Sequence, residues 1–231
     1  IMIPRLDDAE RRELGGLVQI FIAEKKFEGC DGLEITDEIR LVIAAHACIL
    51  LLHRETDVYP LLSSILVYPR AFVAPLQEHG PDGVVLEEDE ERDGESWDTG
   101  ALILSWADCL ESVADPRDGY NVMFHEFAHQ LDDEAGIADG APRLDDKALA
   151  ADWEREFARE FEALGKRADK RVPTLLDWYG AESPAEFFAV LTETFFEKPA
   201  DLKGRHPELY GLLARFYRQD PAALAPAANR R

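Results

Sequence analysis

The sequence predicts an α+β fold, mostly helical with a small β-sheet, and three patterns carry that prediction. Apolar residues recur at helical spacing in two segments near the start and four further along; three short β-rich runs lie between the two groups; and clusters of Pro, Gly and Asp mark the joints. With 231 residues and 46% hydrophobic content the chain can build a real core. One compact domain over residues 1–220 is expected, followed by a flexible Ala/Pro tail at 221–231.

The N-terminal helices are expected within 7–53. The first runs from Asp7 to Phe27 despite two glycines, and the second, more buried, from Thr36 to His53 with Thr36 as N-cap. The sheet is expected within about 61–106, with strands at Leu61 to Pro69, Gly83 to Glu88 and Gly100 to Trp106. Between the last two, the acidic run "EEDEERDGESWDTG" reads as a solvated loop, its role otherwise open over 87–95. A helix is expected over 120–133, then a Gly/Ala/Asp-rich loop to Asp146, then helices at Lys147 to Leu164, Ser183 to Glu197 and His206 to Arg218.

Forty-seven acidic against 25 basic side chains give a net charge of -22, which repels nucleic-acid phosphates and anionic lipid. Direct nucleic-acid binding is therefore not expected. Cys30, Cys48 and Cys109 are odd in number and widely spaced, without CxxC pairing, and no basic-then-apolar leader is visible, so a cytoplasmic location is expected. The longest apolar run, Leu41 to Leu52, is too short to span a bilayer, so no membrane association is expected.

Chemistry concentrates in "NVMFHEFAHQLDDEAG", Asn121 to Gly136. On a helix His125 and His129 lie one turn apart and can reach one metal ion, with Glu126 beside them. Burying two imidazoles and a carboxylate among Phe124, Phe127 and Leu131 costs several kcal/mol unless each finds a partner, and a bound cation supplies one. Two incidental core histidines are the bland alternative. A catalytic zinc site needs a third ligand. Glu186 and Glu193, seven residues apart, share one face of the 183–197 helix, and by pattern alone they draw level; Glu186 also reads as the last member of a capping box that starts at Ser183. A mononuclear iron centre remains open, whereas a di-iron site would need a second Glu-x-x-His, and none of His46, His53, His79 and His206 has glutamate three residues before it.

With those residues assembled, the chain resembles the Mlc titration factor A family of bacterial zinc peptidases, from about Phe21 to Asp220. The matching segments are "ILVYPRAFV" (65–73), "SWDTGALILSWAD" (96–108), "NVMFHEFAHQLD" (121–132), "SPAEFFAVLTETFF" (183–196) and "FYRQDP" (216–221). The resemblance implies a zincin-like metallopeptidase domain similar to the catalytic domain of anthrax lethal factor. It implies one Zn²⁺ held by His125, His129 and Glu186, Glu126 as catalytic base, and Tyr179 as the group that steadies the oxyanion. Glu193 is then left as a supporting or packing carboxylate. Asp132 is left to accept from an imidazole or to anchor the loop after the helix. The implied activity is aminopeptidase-like cleavage of short peptides. Some members of the family also bind a transcription repressor that controls sugar uptake. The alternative function is accordingly a repressor-binding protein in which zinc is mainly structural. The strand at Gly100 to Trp106, if it lies at the sheet edge, can pair with an extended peptide substrate.

Overall fold

A computed structural model describes residues 6–70, 72–75, 89–92, 94–97, 100–136, 138–144 and 146–224. The chain opens with helix α1 (Asp8–Glu24), whose N-terminus carries a reciprocal cap: the Asp7 carboxylate accepts from the backbone N–H groups of Ala9 and Glu10, and the Glu10 side chain accepts from the N–H of Asp7. Strand β1 (Lys26–Gly29) follows directly, then α2 (Asp37–Ile49), whose Thr36 cap accepts from Ile39 N–H. Next come β2 (Ser64–Tyr68), β3 (Phe72–Pro75), β4 (Asp89–Arg92), β5 (Gly94–Trp97) and β6 (Ala101–Ser105). The remainder is helical: α3 (Trp106–Ala114), α4 (Val122–Asp133), α5 (Lys147–Ala168), a 3₁₀ turn at Trp178–Ala181, α6 (Pro184–Glu197), α7 (Pro199–Arg205), α8 (Pro207–Tyr217) and α9 (Pro221–Leu224).

The main sheet has the order β1-β2-β6-β5. The first three strands are parallel, with Phe27 beside Ile65 and Ile65 beside Leu102, and β5 joins β6 antiparallel. Strands β3 and β4 pair antiparallel as a separate ribbon. Parallel strands need both faces covered, and Ile65, Val67, Leu102 and Leu104 are accordingly fully buried.

The described elements correct the sequence reading in several places. Lys26 and Phe27 are not the end of the first helix but open the strand Lys26–Gly29, because its backbone is paired along β2. The 100–106 strand is not an edge: β6 lies between β2 and β5, so both its sides are occupied and it cannot take a peptide as a further strand. Part of the acidic run is β4 and β5 rather than loop, since edge strands with one side open tolerate charge. Residues 221–224 are helical, not frayed. The strand expected at 83–88 and the tail beyond 224 lie outside the described residues. Among those described, no helix is long and apolar enough to cross a membrane.

Two aromatic groups hold α4 and α6 in the interior. Phe127 meets Phe21 of α1 at 5.7 Å and Tyr59 at 5.0 Å between ring centroids, and the Tyr59 hydroxyl donates to Ala47 C=O. On the far side Trp153 and Phe157 of α5 pack on Phe188 and Phe187 of α6 at 5.8 and 4.7 Å. Phe124 of α4 meets Phe196 of α6 directly at 5.0 Å, and rings in such contact bury large apolar area in fixed orientations, so α4 and α6 are set against each other with little freedom.

Candidate metal centre

Helix α4 starts at Asn121, whose side-chain oxygen accepts from Phe124 N–H while its backbone N–H donates to Glu193 at 2.5 Å. Met123, Phe127, Ala128 and Leu131 anchor the helix in the core, which leaves His125 and His129 to project from the same side one turn apart. Helix α6 starts at Ser183, which caps Glu186 N–H at 3.1 Å with Pro184 at the first helical position. The cap uses only the backbone of Glu186. Its carboxylate turns to the histidines instead.

The resulting geometry is compact. His125 Nε2 and His129 Nε2 face each other at 3.2 Å, and Glu186 Oε2 lies 2.9 Å from the first and 3.5 Å from the second. Glu186 Oε2 is buried and receives no hydrogen bond. Zinc–ligand bonds of about 2.0–2.1 Å in tetrahedral array put ligand atoms about 3.3 Å apart. The three observed separations scatter about that value, so the residues fit a cation of this size. Among the described residues, His125, His129 and Glu186 are the group of donor atoms that can share one ion.

The electrostatics favour the same occupant. Burial pushes the Glu186 carboxyl up, but the adjacent His125 and His129 outweigh it and hold the group down at about 2, fully ionised. Burial also pulls His125 down, yet its contacts with Glu186 and Glu193 leave it well above the ordinary imidazole value. The pocket thus calls for positive charge. On the far side of the ring, His125 Nδ1 meets Glu193 Oε1 at 2.8 Å. A proton on Nδ1 shared with that carboxylate leaves the Nε2 lone pair directed at the shared point, the usual arrangement behind a metal-bound imidazole.

Glu193 is in turn held by Asn121 N–H, and Asn121 Nδ2 donates at 2.9 Å to Glu197, one turn further along α6. Glu197 also accepts from Gly119 N–H, and burial raises its carboxyl to about 8. Sequence reasoning left Glu197 and the capping role of Asn121 unread, although their spacings, Glu193 plus four and His125 minus four, carry the signal. Glu126 is buried beside the imidazoles, and desolvation raises its carboxyl despite the lowering influence of His125 and His129. Tyr179, half-exposed on the 3₁₀ turn, places its ring 5.8 Å from that of His125.

Asp132 takes the anchoring role of its two expected alternatives. Its Oδ2 accepts from Gly140 N–H at 2.7 Å, and Gly140 C=O accepts from Trp153 Nε1 at 3.0 Å. Gly140 has φ +76, and a Cβ there would fall 2.2 Å from Pro184 O, at the start of α6. A side chain at this point would push apart the two helices that bring His129 and Glu186 together. Gly140→Ala is expected to lower unfolding stability by about 2–4 kcal/mol, read from urea midpoints, and to weaken metal retention in the same preparation.

The profile of the glucose-regulated metallo-peptidase M90 family matches residues 1–218. The chain belongs to the M90 metallopeptidase family. Its relatives include an uncharacterized protein of Synechocystis sp., 46% identical over 219 residues, covering 94% of this chain and 79% of that protein. Proteins called Mlc titration factor A from Pectobacterium atrosepticum and Serratia proteamaculans are 32% and 31% identical, each covering 96% of this chain and 84% and 86% of their own length. Membership in M90 makes the chain a metallopeptidase at the family level, with a fold of mostly helical α+β type and a His-His-Glu group able to bind a divalent metal.

Proposed function

We propose that the protein is a zinc-dependent peptidase acting aminopeptidase-like on short peptides, with His125, His129 and Glu186 holding the ion, Glu126 as general base and Tyr179 on the developing oxyanion. The convergence of two imidazole nitrogens and one buried carboxylate oxygen on a single point carries the reading. Bound there, a divalent cation lowers the pKa of a water toward about 7 and polarises a carbonyl.

Each side chain then has a task that its surroundings suit. Glu126, its carboxyl raised by burial, takes the proton of the attacking water and afterwards hands it to the leaving nitrogen. Glu193 keeps the His125 ring and its Nδ1 proton fixed, so the Nε2 lone pair need not reorient. The Tyr179 hydroxyl donates to the carbonyl oxygen as negative charge builds there. An extended peptide has a strand to pair with in β5, the last strand in the order of the main sheet among the described residues. The chain's surplus of carboxylates favours a substrate with a free ammonium group.

The test is hydrolysis of unblocked amino-acid anilides against N-acetylated peptides, with bound metal measured by mass spectrometry. Cleavage of the unblocked substrates alone supports the aminopeptidase reading, cleavage of both reassigns the protein to endopeptidases, and cleavage of neither by metal-loaded protein defeats it. Tyr179→Phe is expected to lower kcat roughly 10²- to 10³-fold with KM and metal content near wild type. A change in KM alone would make Tyr179 a binding residue only.

The name of the relatives, Mlc titration factor A, supports a second activity: sequestration of a transcription repressor. Repressor binding that survives loss of Glu126 would separate that activity from catalysis.

A further inference from the structure

A cleft lined by residues from four parts of the chain lies away from the histidines. It has a volume of about 820 Å³, within the range of small-molecule sites, and forms where these parts meet: the turn after α2, the C-terminal cap of α4, the approach to α5 and the end of α8. Four arginines line it, Arg54, Arg143, Arg215 and Arg218, together with four carboxylates, Glu55, Asp57, Glu134 and Asp146.

Arg143 faces Glu134 electrostatically, and Arg215 and Arg218 are held by the protein itself. Arg215 Nη2 pairs with Asp146 at 2.9 Å, and Arg218 Nη1 donates to His53 C=O at 3.1 Å. Arg54 is different. Its guanidinium stacks over Phe216 at 4.3 Å from the ring centroid, and its Nη1 is buried with no hydrogen-bond partner. Glu134, which caps the C-terminus of α4, also lines the cleft and leaves its Oε1 buried and unpartnered. A buried donor and a buried acceptor that fail to satisfy each other each cost free energy, and both are satisfied by a molecule carrying the complementary groups.

We propose that this cleft is a binding site for a small phosphorylated or carboxylated molecule that also carries a hydroxyl or ammonium donor. The oxyanion sits on the Arg54 guanidinium, whose planar N–H fork matches carboxylate and phosphate oxygens, with Arg143 at the rim. The donor is taken by Glu134. Stacking on Phe216 holds the guanidinium plane in place before the ligand arrives, so little side-chain freedom is lost on binding. Since Glu134 ends the helix that bears His125 and His129, an occupant also ties down that helix end and raises the thermal midpoint.

The experiment is calorimetric titration of the full chain with glycerol 3-phosphate, with malate and with uncharged glycerol. Saturable binding of glycerol 3-phosphate or malate, and none of glycerol, is expected; the tighter of the two names the oxyanion. Arg54→Met and Arg143→Ser should each weaken it about tenfold, with Arg143, an exposed position, serving if Arg54→Met does not fold. Glu134→Ala should weaken glycerol 3-phosphate as well. Arg117→Ser, on the surface elsewhere, should leave affinity unchanged and so excludes a general charge effect. Glu186→Gln should also leave it unchanged, which separates this cleft from the histidine centre. No saturation by either anion, equal affinity in the Arg54 and Arg143 variants, or loss on Glu186→Gln overturns the proposal.

Discussion

Glu126→Gln is expected to abolish measurable peptide hydrolysis, a fall in kcat/KM of about 10²- to 10⁴-fold, while the bound metal stays at wild-type stoichiometry. The amide keeps the shape of the side chain and its place in the interior but cannot take a proton from water. Because Glu126 is not one of the three converging atoms, metal content should not follow activity. Burial raises the Glu126 carboxyl, so the acid limb of the wild-type pH profile should lie above the ordinary carboxylate range. Activity within a few-fold of wild type would remove Glu126 from the mechanism.

Glu186→Ala is expected to cost both metal and activity, and to cost more than Glu193→Gln. The first removes one of three converging atoms; the second removes only the partner of His125 Nδ1. Loss of such an orienting partner weakens metal binding roughly 10- to 100-fold, and loss of a ligand should exceed that. Titration with a metallochromic competitor orders the two variants. The reverse order would make Glu193 the ligand. Acidification should release metal from the wild type too, since the imidazoles must shed their protons to bind.

The site was legible in the sequence to an uneven degree. His125 and His129 could be read because a four-residue spacing on a helix fixes their relation without any tertiary knowledge. Glu186 and Glu193 could not be separated by the same rule. Seven residues are two turns, about 10.5 Å along the axis, and both carboxylates reach the same imidazole, one at each nitrogen. Which nitrogen faces the shared point depends on how α4 and α6 pack, a tertiary fact that periodicity does not reach.

The fold divided along similar lines. Helices α4, α6 and α8 were legible because long apolar stripes at helical spacing survive boundary errors of a residue or two. Strand β1 was not: "KFEG" follows a helix without a break, and only its pairing with β2 makes it extended. Helices α3 and α7 were missed because each is short and abuts another element, α3 beginning where β6 ends and α7 lying between Pro199 and Pro207. Strands β4 and β5 were hidden by their charge, which describes an edge as well as it describes a loop.

The Gly140 contact also gives the protein a built-in optical reporter. The Trp153 indole N–H is tied to Gly140 and the ring is enclosed by Phe157, Phe188 and Phe216, so its emission depends on whether that contact is dry. Any event that lets Asp132 release the loop would wet the indole and shift its share of the four tryptophans' emission to the red.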